Sequence, residues 1–296
     1  MAERRTKRKS SAGDTGDTKS EGTGKLTLYD FCSGIGLGFL AAATMLGEFD
    51  IIGACEIDDY CRSILALRYP GVPIARDIRV REDFERVTAT VTSCSLPCQP
   101  FSIAGKRLAA DDERNLFPYW LERIDTINSR YLVLENVPGI LSAPYQPGKP
   151  TGTFFRWLLW ELSHRGYYVQ WQVLGSGHFG SPFPRERLLL VAIAASVVEQ
   201  FGGNPPTWSE QVRDSVERVG ATWSARSSEP GISSERIIQL ASELGISIGV
   251  PSGNGDIRNQ RKAYGNCFDP RVAATALSYV LRVEAARRRV EGGTAA

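Results

Sequence analysis

The chain has 296 residues, with 35 Lys and Arg against 33 Asp and Glu and a net charge of +2. That length suits one large domain plus a small one, the 42% hydrophobic fraction suits a globular protein, and no apolar stretch approaches the roughly 20 residues of a membrane helix. Six cysteines without a CxxC pair and only two histidines, His164 and His178, argue against a zinc site and a disulfide framework, so no metal is expected.

Residues 1–24 read as a disordered tail of small polar residues carrying the basic cluster Arg4-Arg5-Thr6-Lys7-Arg8-Lys9, which also suits a phosphate-contacting arm. The tail has no apolar core of a secretory signal, so the expected compartment is a reducing cytoplasm or the nucleoid. From Lys25 strands and helices alternate. Strands are predicted at 26–31 and 51–56, helices at 36–46 and 59–69, and a short extended piece at 73–75. A strand at 90–95, a helix at 116–128 and a strand at 131–135 follow. A helix at 153–165 leads to strands at 167–174 and 187–194. This order predicts an α/β fold, a doubly wound, mostly parallel sheet of Rossmann-like type covered on both faces. Residues 25–194 form the predicted catalytic domain and 195–263 a small variable module, with a helix at 234–244. Residues 264–296 return to the first domain through a helix from Pro270 to about Arg289. Trp208 and Trp223, in the variable stretch, read as packing side chains.

In such sheets ligands sit beyond the carboxyl ends of the strands. Asp30, Glu56, Asp77, Cys98 and Glu135 all fall at or just after those ends, so one crevice could hold them all. Asp30-Phe31-Cys32-Ser33-Gly34-Ile35-Gly36-Leu37-Gly38 is a glycine-rich strand-to-helix turn, suited to close backbone approach to a ligand. Glu56 ends the second strand, where a carboxylate can grip ribose hydroxyls. Pro97-Cys98-Gln99-Pro100-Phe101-Ser102 and Glu135-Asn136-Val137 pair a loop cysteine with a buried acid. Together they suit addition of a nucleophile to a pyrimidine ring and protonation of the ring nitrogen.

These segments resemble the motifs of DNA (cytosine-5) methyltransferases. The resemblance covers about residues 26–194 and 264–285. It implies S-adenosylmethionine as cofactor, held by Asp30, Phe31, Cys32, Ser33, Gly34, Gly36, Glu56, Ile57, Asp77, Ile78, Pro97 and Asn266. It implies Cys98 as the nucleophile toward C6 of a flipped-out cytosine and Glu135 as the group acting at N3, with Arg185 and Arg187 beside them. Gln99, Ser102 and Asn136 would contact the substrate, and the loop 101–115, with Gly105, Lys106, Arg107 and Arg114, would close over the base. Phe179 to Arg187 is similar to the family's Gln-x-Arg-x-Arg motif, with Phe183 at the glutamine. Gly265-Asn266 is similar to its closing motif. Cys32 and Leu37 stand where the family usually has phenylalanine and glycine. The implied partner is double-stranded DNA, with a further subunit for target recognition a possibility given the short, charge-balanced 195–263 stretch. A tRNA substrate and a catalytically silent relative are the alternatives.

Overall fold

The computed structural model describes residues 24–97, 110, 112, 114–181, 185–209, 212–214, 216–217, 263 and 267–293. Seven strands form one sheet: β1 (Leu26–Phe31), β2 (Phe49–Cys55), β3 (Ile74–Ala75), β4 (Val91–Ser95), β5 (Tyr131–Asn136), β6 (Tyr167–Gly175) and β7 (Glu186–Ala194). Their spatial order is β3-β2-β1-β4-β5-β7-β6. The pairs among β3, β2, β1, β4 and β5 are parallel, while β7 runs antiparallel to both β5 and β6. The order reverses between β1 and β4, and this is the point where an open α/β sheet forms a crevice beyond its strand ends.

Strand periodicity sorts the core into two layers. Leu28, Val91, Tyr131, Val133, Leu189 and Val191 pack on one face with α1 (Phe39–Leu46) and the last helix, α6 (Pro270–Gly293). Tyr29, Phe31, Cys94, Leu132, Leu134 and Leu190 pack on the other with α3 (Phe117–Ile127) and α4 (Thr153–His164). The helix α2 (Asp59–Arg68) starts on Asp58, whose carboxylate accepts from the Tyr60 and Cys61 amides at 3.1 Å. The one-turn helix α5 (Ala195–Glu199) follows β7, and Trp208 beyond it is fully buried and stacks on Tyr279 of α6 at 5.5 Å. Trp208 therefore packs, as expected. Trp223 and the helix expected at 234–244 lie outside the described residues, as does the tail at 1–23.

The strands and helices fall within one or two residues of their predicted bounds, with two informative exceptions. Helix α1 begins at Phe39 rather than Gly36. Gly36 has φ +77, which is not helical, and a Cβ on Gly38 would lie 2.4 Å from the Phe268 ring. The loop is thus shaped by packing before the helix can start. At the other end α6 runs on to Gly293, with Arg287 and Arg288 engaging Glu284 on its last turns. The 3-10 turns Arg81–Phe84, Pro138–Leu141 and Ser176–Phe179, like α5, are too short to leave a periodic signal.

Candidate active site

The carboxyl ends of β1, β2, β4 and β5 open onto one cleft of about 610 Å³, a volume ordinary for a small-molecule site. Asp30, Cys32, Ser33, Gly34, Glu56, Ile57, Asp77, Ile78, Pro97, Glu135 and Arg187 all line it. The sheet brings together residues as far apart in sequence as 30 and 187 because each sits at the end of its own strand or just beyond.

The glycine loop and Glu56 form one wall. Glu56 accepts the Gly34 amide at 2.8 Å and the Asp58 amide at 2.9 Å, which fixes the carboxylate between the loop and the start of α2. Burial pushes its pKa up, and these amides pull it back. Asp30 is buried beneath the loop and accepts a hydrogen bond of 2.6 Å from the Ser93 hydroxyl. Burial moves Asp30 up to about 6 despite the Ser93 and Ser33 hydrogen bonds that favour its charge. Beside Glu56, Ile57 leaves 54% of its surface exposed, an apolar face open in the cleft.

Asp77 sits further along the same wall, and Arg79 has taken hold of it. The Arg79 guanidinium donates to both carboxylate oxygens at 2.7–3.0 Å and its amide donates at 3.0 Å, which holds the Asp77 carboxyl below the usual range. Sequence reasoning missed Arg79, although the Asp-x-Arg spacing at the end of a strand was there to read.

Glu135 and Arg187 form the opposite wall. Glu135 is only 8% exposed, and Arg187 Nε contacts its Oε1 at 2.8 Å. Burial lifts the Glu135 pKa to about 7, against the pull of Arg187, the Ser95 hydroxyl and Arg185. A carboxyl raised that far from its ordinary range is suited to exchanging a proton near neutral pH.

Four predicted site residues are not among those lining the cleft, although the Arg185 charge acts on the Glu135 carboxyl. Phe31 is buried in the core against Tyr29 and Phe84. Gly36 faces Tyr69: a Cβ there would come within 2.6 Å of the ring, whose hydroxyl donates to the Gly36 carbonyl at 2.9 Å. This packing leaves no room for a side chain at Gly36. Arg185 is exposed at φ +36 and donates to the Cys267 carbonyl, pinning the chain before β7 to the segment before α6. Asn136 is fully buried; its Nδ2 donates to the Leu96 carbonyl at 3.2 Å and its Oδ1 accepts the Val137 amide at 2.9 Å. The side chain ties the end of β5 to the backbone leading into Pro97. Cys98, Gln99, Ser102, Phe183 and Asn266 lie outside the described residues, as does most of the loop 101–115. Arg114 of that loop lines the cleft. Leu37 is buried with Ile35, Ala41, Cys61 and Ile64, filling a small satellite core.

Among the described residues, no group of three or more His, Cys, Asp or Glu side chains could hold a metal ion, and no helix is long and apolar enough to cross a membrane. Cys55, Cys61 and Cys94 are buried and Cys32 and Cys267 half-buried, all five as free thiols.

Comparison with known proteins places these features. The chain is 34% identical over 219 residues to the Type II methyltransferase M.NaeI of Lentzea aerocolonigenes, spanning 69% of this chain and 51% of that protein. It is 26% identical over 200 residues to the Type II methyltransferase M.NgoMIV of Neisseria gonorrhoeae, spanning 66% and 59%. The chain thus spans little more than half the length of these curated relatives. Its fold is similar to that of the S. pombe Dnmt2 methyltransferase (TM-score 0.57, 18% identity, 87% of this chain and 98% of that one). It is also similar to a putative DNA modification methyltransferase encoded within an E. coli prophage (TM-score 0.59, 16% identity, 88% and 99%). The profile of the C-5 cytosine-specific DNA methylases matches residues 26–236. Since that match takes in every strand framing the cleft, the chain belongs to the C-5 cytosine-specific DNA methylase family.

Proposed function

We propose that the chain transfers a methyl group from S-adenosylmethionine to C5 of a cytosine in DNA. One observation carries the reading: a single cleft joins a wall of amides and carboxylates at Gly34, Glu56 and Asp77 to a buried acid–arginine pair at Glu135 and Arg187.

The residues of the first wall suit S-adenosylmethionine. The Glu56 carboxylate stands where ribose hydroxyls can donate to it, the exposed face of Ile57 offers an apolar surface to a purine, and Asp77 offers an acceptor to an exocyclic amine. Arg79 already engages Asp77, so a ligand's amine would share or displace that pair. When bound, this cofactor supplies an electrophilic methyl group.

The chain's own residues prepare the base. Cys98 follows Pro97, which lines the cleft. Its thiolate adds to C6 and makes C5 electron-rich. Glu135, with its pKa raised to about 7, gives its proton to N3 as negative charge develops on the ring. Arg187 holds the Glu135 carboxyl in place and keeps positive potential beside the ring. After methylation the C5 proton leaves to a base, the Cys98–C6 bond breaks with its electrons returning to sulfur, and N3 gives its proton back to Glu135, restoring aromaticity. A cytosine stacked in a duplex cannot reach such a cleft, so the base must be extruded. Target choice falls to residues 195–263 or to a further subunit.

The test is transfer of a labelled methyl group from S-adenosylmethionine to unmethylated DNA, with bulk tRNA and a Cys98→Ala variant in parallel. Label recovered as 5-methylcytosine in DNA, and absent from the variant, is the expected result. Label in tRNA alone would reassign the substrate. Transfer by the variant would remove Cys98 from the mechanism.

A further inference from the structure

One local turn recurs among the described residues: an aspartate gripped by the arginine two positions on. It joins Asp77 to Arg79, Asp112 to Arg114 and Asp269 to Arg271. In each, the arginine amide donates to the aspartate Oδ1 at 2.9–3.0 Å, and the guanidinium folds back onto both carboxylate oxygens. The first and last of these turns spend their arginines differently. Arg271 is buried, and its Nη1 donates to the Phe179 carbonyl at 2.8 Å, so that guanidinium is used up inside the protein. Arg79 lines the cleft with 49% of its side chain exposed. Its Nη1 meets no acceptor among the described residues. Asp77 is not used up either: three N–H groups of Arg79 reach a carboxylate with roughly four lone-pair sites, which leaves room for one further donor. The cleft thus offers, side by side, a carboxylate that accepts and a guanidinium edge that donates.

We infer that Arg79 is a specificity-determining residue for the cofactor's purine: Asp77 accepts from the exocyclic amine while Arg79 donates to a ring nitrogen beside it. This rests on reading S-adenosylmethionine as the cofactor. Adenine carries its amine between two ring nitrogens, N1 and N7, and both accept hydrogen bonds. Either edge therefore sets a donor next to an acceptor, the complement of the Asp77–Arg79 pair. An aspartate alone reads only the amine. The turn also prepares the arginine for this task. A long exposed side chain ordinarily gives up much freedom to make one hydrogen bond, but the fork on Asp77 already holds this guanidinium in place.

The experiment is calorimetric binding of S-adenosylhomocysteine to the full chain, beside its 1-deaza and 7-deaza analogues, in which a C–H replaces one ring nitrogen. Wild type should bind one of the two analogues about tenfold more weakly than the parent compound, the worth of one hydrogen bond from a charged donor. Arg79→Ala should bind the parent compound about tenfold more weakly than wild type does. With that same analogue it should lose nothing further, because the donor to the missing nitrogen is already gone. Losses that simply multiply show that Arg79 and the ring nitrogen do not meet, and overturn the inference. So does an Arg79→Ala variant that binds the parent compound as wild type does, or a wild type that binds all three compounds equally. A wild-type chain that binds none of them overturns the assigned cofactor, and the inference with it.

Discussion

The chain buries two glutamates beside arginines and gives them opposite characters. Glu135, at the end of β5, is 8% exposed, meets one arginine in an ion pair, and is lifted to about 7. Glu284, on α6, is 3% exposed and lies under α6 against β5, on the core side of the sheet. Burial pushes Glu284 up as well, but Arg287 donates to both its oxygens at 2.9 Å, Tyr131 donates at 2.8 Å, and Arg288 and Arg130 add positive charge at 3.1 and 3.5 Å; the net result is about 2. Burial alone therefore does not decide what a carboxyl becomes. The number of donors does. Glu284 is surrounded by donors and held charged, a fastening between the last helix and β5. Glu135 is left short of donors and can exchange a proton near neutrality.

The contrast breaks most sharply in activity. Glu135→Gln cannot give up a proton, so methyl transfer should fall by about 100- to 10,000-fold, the range typical for loss of a general acid or base. Its melting temperature should stay near that of the wild type, since glutamine fills the same space and still offers Arg187 an acceptor. A Glu135→Gln variant of near-normal rate would strip the residue of its proposed role. The second effect is on stability, at the other glutamate. The Glu284 carboxyl titrates in the folded chain at about 2, below its ordinary 4.5. Its contribution is present above pH 4.5 and is lost as pH falls through about 2. A shift of that size corresponds to about 3 kcal/mol. Glu284→Gln should forfeit about 2–3 kcal/mol in urea denaturation at neutral pH and flatten the acid limb of the stability curve, with kcat little changed. An unchanged acid limb would mean that α6 is held by its apolar face alone.

The third effect is a pH dependence with the opposite sign. Glu135 is raised from 4.5 to about 7, so its neutral, proton-giving form is full below 4.5 and lost as pH rises through about 7. Methyl transfer limited by that proton should therefore decline on the alkaline side with a midpoint near 7. Glu284→Gln should leave this limb in place. A rate flat to pH 9 would show that Glu135 acts as a fixed charge and not as a donor.

The difference between the two glutamates also marks what could be read from the sequence. Glu135 was legible because it ends an apolar run, and a run without alternation means a strand buried on both faces whose end opens on a crevice. The same logic found Asp30, Glu56 and Asp77. Glu284 gave no such signal: it sits among Ala, Val and Arg in a helix, and Tyr131, its partner, is 153 residues away. Contacts between distant elements were likewise not legible. Arg79 on Asp77 and Asn136 on the Leu96 carbonyl depend on where neighbouring loops run. The missing Cβ atoms of Gly36 and Gly38 make room for Tyr69 and Phe268, side chains no local pattern announces. Pattern reveals which face and which end of an element a residue occupies, and leaves open which side chain arrives from elsewhere to meet it.

The smallest expected effect probes how the donor-rich site is built. The Tyr131 hydroxyl donates to Glu284 Oε2 at 2.8 Å in the core beneath β5. Removing it in Tyr131→Phe deletes one donor of several and leaves the ring in place. The arginines remain, so Glu284 stays charged and the loss should be about 1 kcal/mol in urea denaturation at pH 7, the worth of a single hydrogen bond to a charged acceptor at the low end. The Glu284 titration should move up only slightly, because three guanidinium groups still face it. A Tyr131→Phe loss of 3 kcal/mol or more would mean that the arginines hold Glu284 only because the tyrosine fixes its orientation first, and the donor-rich site would then be a cooperative one.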